Sequence, residues 1–64
     1  MTAAEYFELG QELRRNRKFG EAINAFMAAA ASPEASEDMK RRSQASIELI
    51  QEINGFVNTD LMNP

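Results

Sequence analysis

The sequence contains no cysteine and no histidine among its 64 residues. Disulfide staples are therefore excluded, as are the metal sites and catalytic centres that are usually built on these two residue types. The three glycines, Gly10, Gly20 and Gly55, are spaced too far apart to form a phosphate-binding loop. We expect no enzymatic activity, no bound metal and no cofactor.

An excess of positive charge and long apolar runs are also missing. The net charge is −3 and the pI is about 4.8, which disfavours nucleic acid as a partner. A basic cluster at residues 14–18 is better explained as the complement of a helix dipole. No stretch approaches 18 consecutive apolar residues, and the N-terminus has no basic segment followed by an apolar one. These features predict a soluble, cytoplasmic chain with no membrane partner.

What is present is typical of a folded protein, with 44% hydrophobic and 27% charged residues. A chain of this length forms one domain, here residues 1–64, and buries only about 60% of the surface that its unfolded form exposes. The core is therefore expected to be marginal. Since neither disulfides nor metals are available, we expect self-association to supply the additional stability.

The pattern of caps and apolar positions predicts a first helix, helix A, at about residues 3–15. Thr2 and Glu5 form the capping-box pattern that satisfies free amides at a helix start. The helix should end near Asn16, a residue that tolerates the left-handed conformation common after helices. Its apolar stripe is Tyr6, Leu9, Gly10 and Leu13.

A second helix, helix B, is predicted at about residues 18–31. The connection from helix A is short, so the two should form an antiparallel hairpin. Pro33 ends the helix because proline lacks the donor needed to continue it. The apolar stripe of helix B is Phe19, Ala22, Ile23, Phe26, Ala29 and Ala30.

Helix C is predicted at about residues 36–57, with Ser36 as its N-cap, followed by an extended or loosely packed tail at residues 58–64. The predicted fold is all-α, an antiparallel helical hairpin plus a third helix. The apolar residues of helix C cover about half of its circumference, more than one hairpin would cover. Leu49 and Phe56 lie at one edge of this arc and are the candidate homodimer interface. The apolar positions are Met39, Ile47, Leu49, Ile50, Ile53, Phe56 and Val57.

Residues 3–34 resemble one tetratricopeptide repeat. The resemblance lies in the residues Tyr6, Leu9, Gly10 and Leu13, then Ala22, Phe26 and Ala29, then Pro33. It implies that Gly10 and Ala22 allow the two helices to cross closely, while Tyr6, Leu9, Phe26 and Ala29 fill the space between them. It also implies that helix C resembles the capping helix of such arrays. The departures are Tyr6 for the usual Trp, Leu13 for the usual Tyr, Arg17 at the usual turn glycine and an early Pro33.

The register of the resemblance also places the positions that would face a bound partner. The candidate partner-binding residues are Phe7, Gln11, Arg14 and Arg15, with Ala4 beside them. They do not match the basic and amide residues with which some members bind a carboxyl terminus of a chaperone. Phe7 lies off the main stripe of helix A, so it either packs against helix C or a dimer mate, or contacts a peptide.

These observations favour a small tetratricopeptide-like protein–protein interaction or assembly module that forms a homodimer and binds another protein or peptide. The alternative is a structural capping or vestigial repeat unit. Such a unit would associate with a longer repeat protein and have no peptide ligand of its own. An enzyme or a nucleic-acid binder is the least favoured class.

Overall fold

Three α-helices make up the fold in the computed structural model, which describes residues 1–53. They are α1 (Ala3–Arg15), α2 (Phe19–Ala31) and α3 (Glu37–Ile53), and the described residues contain no strand. α2 packs against both other helices, whereas α1 and α3 make few contacts with each other. The predicted all-α fold, a helical hairpin with a third helix, is confirmed. The predicted end of helix C and the tail at residues 58–64 lie outside the described residues. Within residues 1–53, no helix is both long and apolar enough to cross a membrane.

The start of α1 carries the predicted capping box. The Thr2 hydroxyl accepts a hydrogen bond from the Glu5 amide at 3.2 Å, and the Glu5 carboxylate accepts one from the Thr2 amide at 2.8 Å. The hydrogen bond from the Thr2 amide lowers the pKa of the Glu5 carboxyl below its usual value. Two amides that the helix cannot satisfy internally are thereby paired.

The turn between α1 and α2 differs from the prediction in one residue. Asn16 caps α1 but has φ −89°, and the left-handed residue is Arg17 with φ 63°. The Lys18 amide donates to the Leu13 carbonyl and the Arg17 amide to the Arg14 carbonyl, both at 2.9 Å. This pattern is a Schellman motif, which requires the left-handed conformation at the residue after the cap. The prediction that Asn16 fills that role was wrong for this reason.

Two hydrogen bonds hold the connection from α2 to α3 in place. Ser36 caps α3 as predicted, because its hydroxyl accepts a hydrogen bond from the Met39 amide at 3.0 Å. The Glu34 carboxylate accepts a hydrogen bond from the Ala3 amide at 3.1 Å and so ties this connection to the start of α1. The hairpin and the third helix are therefore joined by a polar contact as well as by the core.

The core lies where α2 meets α3. Phe26, Ile23 and Ile50 are its largest fully buried side chains, and Phe7, Leu13 and Phe19 pack against it while partly exposed. Ser43 of α3 is also fully buried, and its hydroxyl has no hydrogen-bond partner within residues 1–53. The small core buries much of the apolar stripe predicted for α2. The core cluster consists of Ala22, Ile23, Phe26, Ile47 and Ile50.

α1 packs tightly against the Phe26 ring of α2 at Gly10. A Cβ atom at this position would be 2.8–2.9 Å from three ring atoms of Phe26, which is far inside van der Waals contact. The predicted need for a glycine here is confirmed, and the residue that covers it is Phe26. The prediction that Leu9 fills the space between the helices was wrong, because Leu9 is 39% exposed. The Phe26 ring occupies that space on the Gly10 side, about 100° around α1 from Leu9.

Candidate protein-binding surface

Gly10 divides the surface of α1 into two flanks, since α2 covers the line on which Gly10 lies. At about 100° per residue, Leu9 lies to one side of this line and Gln11 to the other. The flank on the Leu9 side also contains Tyr6 and Leu13.

The Leu9 flank borders an open groove between α1 and α2, which we call the outer groove. It has a volume of about 320 Å³. Ala25 and Ala28 form its side on α2, and these small residues leave room between the two helices. Ala25 is buried and Ala28 half-buried, whereas Leu9 is exposed. The lining residues are Tyr6, Leu9, Leu13, Glu21, Asn24, Ala25 and Ala28.

One carboxylate lines the outer groove and two others lie near it on α1. Glu21 lines it directly, and Glu5 and Glu12 lie one helical turn before and after Leu9 on the exposed surface of α1. The Glu12 carboxylate is paired with Arg15 at 2.7 Å. That hydrogen bond lowers the pKa of the Glu12 carboxyl. Among the described residues no cation lines the groove. The Glu5 carboxylate is bonded to the Thr2 amide, and Lys18 lies one helical turn before Glu21.

The opposite flank holds the residues that the sequence placed at a partner-binding surface. Phe7, Gln11 and Arg14 are half-buried, whereas Arg15 is exposed and bonded to Glu12. The Phe7 ring packs edge-on against Phe26 with the ring centroids 5.3 Å apart. Core packing therefore accounts for Phe7, and the structure does not bring Arg15 together with it.

The candidate dimer interface is described only in part. Leu49 on α3 is 42% exposed. A residue that contacts a second chain would be exposed in this way when its own chain is alone. Phe56 lies outside the described residues.

The sequence did not identify the outer groove as a surface. The resemblance implies that Tyr6 and Leu9 fill the space between the helices, and Ala25 and Ala28 lie outside the stripe predicted for helix B. One signal was present: two alanines three residues apart, off the main stripe, mark a helix side that another element can approach closely.

No protein-family model matches the chain, and no curated protein or solved structure is significantly similar to it.

Proposed function

We propose that this chain is a small tetratricopeptide-like module that binds another protein, forms a homodimer and acts in the cytoplasm without enzymatic activity. The observation that carries the proposal is the outer groove. It is apolar, open, and bounded by two helices whose relative position is fixed at Gly10 and Phe26. Exposed apolar grooves on small proteins are typical of sites that bind other proteins.

Dimerisation and partner binding would use different helices. The flank of α3 that contains Leu49 serves the homodimer in this proposal, and the outer groove on α1 and α2 serves the partner. A chain of 64 residues has little core, so pairing two copies would bury apolar surface that one copy leaves exposed. The partner site would remain accessible in such a dimer.

One feature of the packing also favours the capping alternative. α3 covers one side of the hairpin by packing on α2, whereas the outer groove on α1 and α2 has no helix over it among residues 1–53. A unit with one covered side and one open side is suited to stacking on the end of a longer helical array. In that case the partner would be a repeat protein.

Affinity capture from an extract of the source cells tests the proposal. Leu9→Ser removes the exposed apolar side chain of the outer groove. Met27→Ser is the matched control, because Met27 is 46% exposed and does not line the groove. We expect the wild type and Met27→Ser to retain the same proteins and Leu9→Ser to lose them. Capture that is equal with all three chains, or absent with all three, contradicts binding through this groove.

Sedimentation equilibrium at micromolar concentration tests the homodimer separately. We expect the mass of a dimer for the wild type and the mass of a monomer for Leu49→Glu, because the substitution puts a charge into an apolar contact. A monomer mass for the wild type contradicts the dimer and leaves the groove proposal untouched.

A further inference from the structure

We draw no further inference here: the strongest candidate, the apolar outer groove between α1 and α2, carries none, because nothing in the structure shows what covers it.

Discussion

Replacing Gly10 with alanine is the sharpest test of how the hairpin is packed. In an exposed helix this change stabilises by about 1 kcal/mol, because alanine has the higher helix propensity. Here the new Cβ would lie 2.8–2.9 Å from the Cδ1, Cε1 and Cζ atoms of Phe26. The ring cannot easily move away, since Phe26 is fully buried and Phe7 packs against it.

Overpacking of this kind costs about 1–3 kcal/mol, and the gain in helix propensity offsets about 1 kcal/mol of it. We therefore expect Gly10→Ala to lower the free energy of unfolding by about 1 kcal/mol. For a domain of this size that corresponds to a fall in melting temperature of about 4–8 °C. Thermal unfolding followed by circular dichroism at 222 nm measures it.

The Phe26→Leu substitution provides the control. It removes the outer ring atoms that the new Cβ would meet. Phe26→Leu should destabilise the wild type but cost less in the Gly10→Ala background, with a coupling free energy of about 1 kcal/mol. A Gly10→Ala protein as stable as the wild type or more stable, or strictly additive effects in the double variant, would refute the close contact between α1 and α2 at this point.

Three further predictions follow from the caps and the core. Arg17→Gly should raise the free energy of unfolding by up to about 1 kcal/mol in urea titrations, because glycine tolerates φ 63° without strain; a loss of stability would argue against the Schellman turn. Ser43→Ala should also stabilise, by about 1 kcal/mol, since it removes a buried hydroxyl without a partner in residues 1–53; destabilisation would mean that the hydroxyl is hydrogen-bonded. The lowered pKa of Glu5 means that its stabilising effect is present at neutral pH and is lost as the pH falls through that pKa, below the usual 4.5. Glu5→Gln should therefore lose less stability than the wild type between about pH 5 and pH 3, and parallel pH profiles in equilibrium unfolding would contradict this.

The parts of the fold that the sequence predicted correctly depend on neighbouring residues. The capping box of Thr2 and Glu5 and the Ser36 cap each join residues three apart, so a short stretch of sequence contains the whole interaction. The break at Pro33 is local in the same way. These signals predicted the starts of α1 and α3 and the break after α2.

The burial of α1 depends on contacts between distant residues and was only partly predictable. The need for a small residue at position 10 was expected, but periodicity did not reveal that the Phe26 ring covers it. Gly10 is buried under this ring and Phe7 is half-buried beside it, whereas Leu9 is exposed. The outer groove lies on the other flank of α1 from the candidate partner-binding residues, because those residues were placed by the register of the tetratricopeptide resemblance.

Photo-crosslinking in the source cells tests the central claim, that the chain binds a partner through the outer groove, most directly. A photoreactive phenylalanine derivative replaces Leu9 in one variant and Gln11 in another, two positions about 160° apart around α1. Each variant is illuminated in living cells and analysed by denaturing electrophoresis and mass spectrometry. We predict that the probe at position 9 crosslinks to one protein other than this chain, and that the probe at position 11 does not. Crosslinks from position 11 alone, or equal crosslinks from both positions, would contradict the outer groove as the binding surface.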